Sequence, residues 1–341
     1  MNERDLIHYI MNLAPERSDK DLLLGMGDDC AVIKKNRERV LLYSTDALIE
    51  KVHFDPAWHP PFMLGRKAVS VNVSDVAAMG GEPRYLLFTL GLPGDFDDQW
   101  ARELMRGVLD GCEQYDCVLI GGDTVASPGG VTLGVTVIGE MLGDAVLYRT
   151  GARAGDTVFV SGPLGSAAAG LDLCRQGHAE KKEFAALCRA HLDPRARVGL
   201  GTLLAGSGLA HAMMDLSDGL ATDLGHICKA NGLDAVIHAD QLPAHPFLAK
   251  AAQFLRMDPV QWMIAGGEDY ELLVTAPEDA TKKLQETVAG SGYVLYPVGR
   301  ITAGGEGKIR LAASAQSEDA TVVAVEFSGY DHFGPDKGPA G

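Results

Sequence analysis

Ala210-His211-Ala212-Met213-Met214-Asp215-Leu216-Ser217-Asp218-Gly219 is a short apolar run that ends in two carboxylates and a hydroxyl beside glycine. Ala210 to Met214 reads as a strand, and Leu220 to Ala230 as the helix that follows it. The same design recurs along the chain. Gly27-Asp28-Asp29-Cys30-Ala31 opens a strand-like run from Cys30 to Ile33, and Ser44-Thr45-Asp46 ends the run from Val40 to Tyr43. Gly121-Gly122-Asp123-Thr124 follows Val118 to Ile120, and Gly266-Gly267-Glu268-Asp269-Tyr270 precedes Glu271 to Thr275. Asn72 and Asp75 stand three apart in a helical stretch, which stacks them on one face. One Asp beside Gly is a turn or a helix cap. Several, each at the end of a strand-like run, imply a pool of hard oxygen ligands of the kind that suits Mg²⁺ and the phosphates it carries.

Working outward, the chain of 341 residues is long enough for two domains with separate cores. The first half alternates strands (Tyr85 to Leu90 and Val131 to Met141 among them) with helices at Met63 to Met79 and Asp97 to Tyr115. The polar, turn-rich segment Arg149 to Asp156 marks the expected boundary. The second half restarts with a strand at Thr157 to Ser161 and a helix from Gly165, and continues with further strands at Ala235 to His238, Val294 to Val298 and Thr321 to Val325. The expectation is an α/β (α+β) chain with domains 1–148 and 149–333 and a disordered, Gly- and Pro-rich tail 334–341.

A net charge of −16 argues against a nucleic-acid partner. No run of about 18 apolar residues exists, so no membrane-spanning helix is expected. The six cysteines show no C-x-x-C pair and no zinc spacing, and the N-terminus lacks a signal pattern, so reduced thiols in a cytoplasmic protein are expected.

Familiar nucleotide motifs are missing. There is no P-loop, since Gly307-Lys308 lacks both the earlier Gly and the following hydroxyl, and there is no kinase-type H-R-D or D-F-G set. Gly162-Pro163-Leu164-Gly165-Ser166 reads as a plain strand-to-helix turn, because Pro163 removes an amide donor. If ATP binds, it is held through metal and carboxylates more than through a Gly cradle. Asp28 and Asp29 point to opposite sides of an extended chain, so one can reach a metal while the other orients the loop. No general base is evident.

Taken in order, the segments quoted above resemble thiamine-monophosphate kinases, together with Val71-Asn72-Val73-Ser74-Asp75-Val76-Ala77-Ala78-Met79-Gly80 and the closing Gly329-Tyr330-Asp331-His332-Phe333. The resemblance runs from about residue 3 to residue 333. It implies the two-domain fold shared with aminoimidazole ribonucleotide synthetase, an N-terminal domain that forms a homodimer, and phosphorylation of thiamine monophosphate by ATP. Carried over by position, Asp28, Ser44, Thr45, Asp46, Asp75, Asp123, Asp215 and Asp218 are the implied ligands of several Mg²⁺ ions. Gly122, Asp123, Arg149 and Ser217 are the implied ATP contacts, and His53, Glu268 and Tyr330 the implied contacts to the thiamine moiety.

Overall fold

The computed structural model describes residues 3–13, 19–314 and 323–324. The first half runs α1 (Glu3–Leu13), β1 (Leu22–Leu24), β2 (Ala31–Lys34), β3 (Arg39–Ile49), α2 (Pro61–Ala78), β4 (Glu82–Leu92), α3 (Asp98–Gln114), β5 (Val118–Ala126) and β6 (Thr132–Leu142). The second begins with β7 (Thr157–Val160), α4 (Ser166–Arg175), α5 (Ala185–Leu192), α6 (Val198–Ser207), β8 (Ala212–Asp215) and α7 (Leu220–Asn231). It continues with β9 (Leu233–His238), α8 (Leu248–Leu255), α9 (Pro259–Ala265), β10 (Leu272–Ala276), α10 (Thr281–Ala289), β11 (Tyr296–Ala303), β12 (Ile309–Ala312) and β13 (Val323–Ala324).

Among the described residues each half builds one mixed sheet, in the orders β1-β2-β3-β6-β4-β5 and β13-β12-β9-β11-β7-β10-β8. The first sheet is antiparallel except where α3 crosses over between β4 and β5, as a parallel pair requires. Leu133, Val135 and Val137 alternate along β6 and bury one face against α2 and α3. The second sheet is covered on both faces. Val158 and Val160 join the core under α4, α5 and α7, while Phe159 between them packs with Leu204 of α6 and Leu284 of α10. Such strands read as unbroken apolar runs, and that is how β7 and β8 stand in the sequence.

The buried helix α2 lies between the two halves. It is apolar nearly all round, which marks a core helix. Its far end seats α6 closely: a Cβ on Gly201 would stand 2.1 Å from the Ala77 carbonyl oxygen. α2 thus belongs to the first core and also forms the floor of the second half.

Two strands are longer than their sequence suggests. Ser44-Thr45-Asp46 lies inside β3, not at its end, and Gly121-Gly122-Asp123 lies inside β5. The ladders with β6 and β4 carry the backbone through these polar residues, whose side chains meet solvent or the carboxylate cluster instead of the apolar core. Tyr330 and the segment 334–341 lie outside the described residues.

Candidate active site

Asp29, Asp75 and Asp215 bring carboxylate oxygens within 4.8 Å of one another. They come from three places: the turn before β2, the last turn of α2, and the last residue of β8. The halves of the chain therefore meet at this point. Ser74, next to Asp75 on α2, donates to Asp215 Oδ2 at 2.5 Å, and Ser44 Oγ donates to Asp75. Asn72 accepts from the Asp46 amide at 3.1 Å and donates to the Ala68 carbonyl at 2.9 Å, which ties β3 to α2 at Asp46.

Burial pushes the Asp75 carboxyl well above the usual range, and the charges of Asp215, Asp46 and Asp29 push it further. Asp29 and Asp215 are raised too, first by burial, against the pull of Arg149. Arg149 is the guanidinium seated in the group, paired with Asp29. Among the described residues the five carboxylates of Asp28, Asp29, Asp46, Asp75 and Asp215 gather around one guanidinium. A hard oxygen donor set with this much uncompensated charge is chemically a divalent-cation site and fits Mg²⁺.

Asp28, the ligand implied by the resemblance, and its neighbour Asp29 differ in what they touch. Asp28 accepts the backbone amides of Asp29 at 2.9 Å and Arg149 at 3.0 Å, so it shapes the turn, while Asp29 points into the cluster. The β-pleat also separates neighbours that were expected to act together. Ser44 and Asp46 share the α2 side of β3, whereas the Thr45 hydroxyl donates to Val135 O at 2.9 Å and meets Thr136 Oγ1 at 3.0 Å.

Within one chain Asp123 and Gly122 stay apart from the cluster. Across the ladder Asp46 faces Val135, Val135 faces Phe88, and Phe88 faces Gly122. Three strand spacings separate β3 from β5, about 14 Å. Asp123 itself is exposed on the edge strand and accepts its neighbour Thr124's amide at 2.9 Å.

The loop after β8 is zipped to the loop before β10. Glu268 N donates to Ser217 O at 2.8 Å and Tyr270 N to Leu216 O at 2.9 Å. The approach needs glycine, since a Cβ on Gly267 would stand 2.4 Å from Ser217 O. Buried Asp223 accepts the amides of Asp218 at 3.2 Å and Gly219 at 3.0 Å, which fixes the turn that presents Ser217 and Asp218. Asp269 accepts from Gly165 N and Ala167 N at the start of α4, a structural cap. His53 stands in the turn after β3, where its Nδ1 accepts the Ile49 amide at 3.0 Å.

The sequence profiles of the AIR synthase related protein, N-terminal and C-terminal domains, match residues 27–141 and 153–312. The thiamine-monophosphate kinase of Escherichia coli K12 is 38% identical over 92% of this chain and 93% of its own length. That of Bacillus subtilis 168 is 33% identical over 98% of this chain and 100% of its own length. The chain belongs to the thiamine-monophosphate kinase family. A structure described as AaThiL complexed with AMPPCP and TMP covers 97% of both chains at 33% identity with a TM-score of 0.84. The Stenotrophomonas maltophilia thiamine-monophosphate kinase structure covers 92% of this chain and 97% of its own at 34% identity, with a TM-score of 0.75. The fold extends further, to a HypE–HypF complex at 17% identity and a TM-score of 0.71.

Three residues at the site, Lys67, His191 and Asp223, and the direction of Asp29 were not read from the sequence. Lys67 sits in an apolar helix and pairs with both oxygens of Glu268, at 2.9 and 3.0 Å. A charged residue at a core-facing helical position was the one available clue.

Proposed function

We infer that the protein transfers the γ-phosphoryl group of ATP to thiamine monophosphate, giving thiamine diphosphate and ADP. The supporting observation is the three-carboxylate cluster at the meeting of the two halves, in a chain that aligns over nearly its whole length with a relative solved with AMPPCP and TMP. Asp29, Asp75 and Asp215, with Asp46 and Asp218 at the rim, are the residues that would hold Mg²⁺. Bound there, the metal supplies charge neutralisation and electrostatic stabilisation of the transferring group.

The chain's own residues do the rest. Arg149, paired with Asp29, and the exposed Ser217 are proposed to meet nucleotide phosphate. The acceptor is a phosphate monoester whose second pKa is about 6, so it is largely ionised near pH 7. One of its oxygens bonds to the γ-phosphorus as the bond to the β–γ bridging oxygen breaks and ADP leaves. No proton has to be removed first, and no general base is assigned. His53, Glu268 and Tyr330 are proposed to contact the thiamine moiety.

We also propose a homodimer formed through the N-terminal domain, with the domain boundary at residues 148/149 and a cytoplasmic location. Tyr85 and Leu87 of β4 and Val118, Ile120 and Val125 of β5 are exposed apolar side chains on one edge of the first sheet. All six cysteines are free and buried, and no helix among the described residues is long and apolar enough to cross a membrane. In such a dimer Asp123 serves the partner's site, since within its own chain it lies three strands from Asp46.

The deciding experiment is formation of thiamine diphosphate from ATP, Mg²⁺ and thiamine monophosphate, with thiamine and an aminoimidazole precursor as controls. Turnover of an aminoimidazole precursor alone moves the chain to another enzyme of this fold. ATP binding without any product makes it a non-catalytic nucleotide binder.

A further inference from the structure

Glu268 is held in a demanding position. Its φ is 68° and that of Tyr270 is 49°, both in the left-handed region that non-glycine residues rarely occupy. Such strain persists where the surroundings fix it. Here they do: Lys67 Nζ binds both carboxylate oxygens, and His191 Nδ1 of α5 lies 2.7 Å from Oε2.

Lys67 is completely buried, and Glu268 is the anion it pairs with among the described residues. Burial opposes the charged carboxyl of Glu268, but the Lys67 charge and then His191 outweigh it and hold the group well below the usual carboxylate range. His191 is buried too. Its contact with Glu268 is off hydrogen-bond alignment, and its Nε2 has no partner among the described residues. The Trp58 ring stands 5.6 Å from the His191 ring, and the Glu268 carboxylate retains some exposure.

The same helix sets the distance to the phosphate end. Lys67 and Ser74 are seven residues apart and Lys67 and Asp75 eight, so all three share one stripe of α2. Eight residues of helix span about 12 Å. Lys67 engages Glu268 at one end of that stripe, and Ser74 engages Asp215 at the other.

We propose that Lys67 and His191 are positioning residues that fix the Glu268 carboxylate as an acceptor for the N–H donors of the acceptor substrate's aminopyrimidine ring, while α2 sets the span between that ring and the carboxylate cluster. This rests on the reading that Glu268 meets the thiamine moiety. A bare domain clamp between α2 and the second half is the structural alternative.

The test is steady-state kinetics of the full chain carrying Lys67→Met, Lys67→Arg, His191→Gln or Glu268→Gln, with KM measured for each substrate. Lys67→Met raises KM for thiamine monophosphate about tenfold or more and changes KM for ATP less than about twofold. Lys67→Arg recovers part of the loss, and His191→Gln gives a smaller shift of the same selectivity. Equal changes in both KM values, or a fall in kcat alone, overturn the positioning role and leave a clamp. If Lys67→Met does not fold, His191→Gln carries the same test, and an unselective effect there overturns the proposal. An unchanged thiamine monophosphate KM in Glu268→Gln sinks instead the underlying assignment of Glu268.

Discussion

Ser74 on α2 donates to Asp215 at the end of β8, so one hydrogen bond crosses between the halves inside the carboxylate cluster. Its neighbour Asp75 belongs to that cluster, and the helix therefore aligns both halves at once. Removing the hydroxyl leaves a buried carboxylate short of a donor. Ser74→Ala is expected to lower kcat about three- to tenfold and to raise the Mg²⁺ concentration needed for half-maximal rate, with a Tm loss of about 2–3 °C. Wild-type Mg²⁺ dependence in this variant would show that the bond does not align the site.

The cluster crowds buried like charges, which stabilises a bound cation and destabilises the chain without one. Asp75→Asn or Asp215→Asn relieves that repulsion. Each variant is expected to melt at or above the wild-type temperature in EDTA, to lose the rise in Tm that Mg²⁺ gives the wild type, and to lose about a hundredfold or more in turnover. Thermal melts with and without Mg²⁺, beside the thiamine diphosphate assay, check all three. A Tm well below wild type in EDTA would count against a metal site.

Asp123 and Asp46 cannot share a metal within one chain if three strands separate them, yet they can across a two-fold dimer. Asp46→Asn and Asp123→Asn are each expected to be inactive. Co-refolded in equal amounts, they recover about a quarter of wild-type activity, because half of the dimers are mixed and each mixed dimer has one intact site. No recovery in verified mixed dimers places both residues in separate or same-chain roles.

The sequence showed the ends of strands and the acidic pool because those depend on neighbours: a run of apolar residues, then Asp beside Gly or Ser. Asp215, the last residue of β8, was legible for that reason, whereas Asp75 showed through its three-residue spacing from Asn72 on a helix and Asp46 through its hydroxyl neighbours, although it lies inside β3. Direction was not. Whether Asp28 or Asp29 enters the cluster depends on Arg149, 120 residues away. Lys67 was hidden for the same reason, since its partner Glu268 lies 201 residues along the chain. The full lengths of β3 and β5 were obscured because polar residues end an apolar pattern without ending a ladder. The short strand β1 and the short helix α9 carry too few residues for any period to show.

Asp234 on β9 gives a pH-dependent contribution away from the site. It accepts the Lys308 amide at 2.9 Å and the Glu306 amide at 3.3 Å, with Arg310 at 3.4 Å. Burial works against its charge, but these donors outweigh it and hold its pKa below the ordinary value. A depressed folded-state pKa stabilises above the unfolded value, about 3.9, and that contribution is lost as pH falls through the folded value. The Tm gap between wild type and Asp234→Asn is therefore expected to be full at pH 7 and pH 5 and to shrink below about pH 4. A gap that does not change from pH 7 to pH 3 would mean that ionisation of Asp234 is irrelevant.

Gly201 tests whether the seat of α6 on α2 matters for chemistry as well as for folding. The Ala77 carbonyl lies where any side chain at 201 would begin, so a larger residue must lift α6 away from α2. Overpacking of this kind costs about 1–3 kcal/mol. α2 also carries Asn72, Ser74 and Asp75, so a displaced second half separates Asp215 from Asp75 and Asp29. Gly201→Val is expected to lower Tm by several degrees and to reduce Mg²⁺-dependent turnover by more than the unfolded fraction accounts for. Gly206→Val in the same helix, where a Cβ meets nothing within 4 Å, is the control and should keep both Tm and rate near wild type. Equal losses in the two variants would trace the effect to helix propensity and would separate the seat of α6 from the geometry of the cluster.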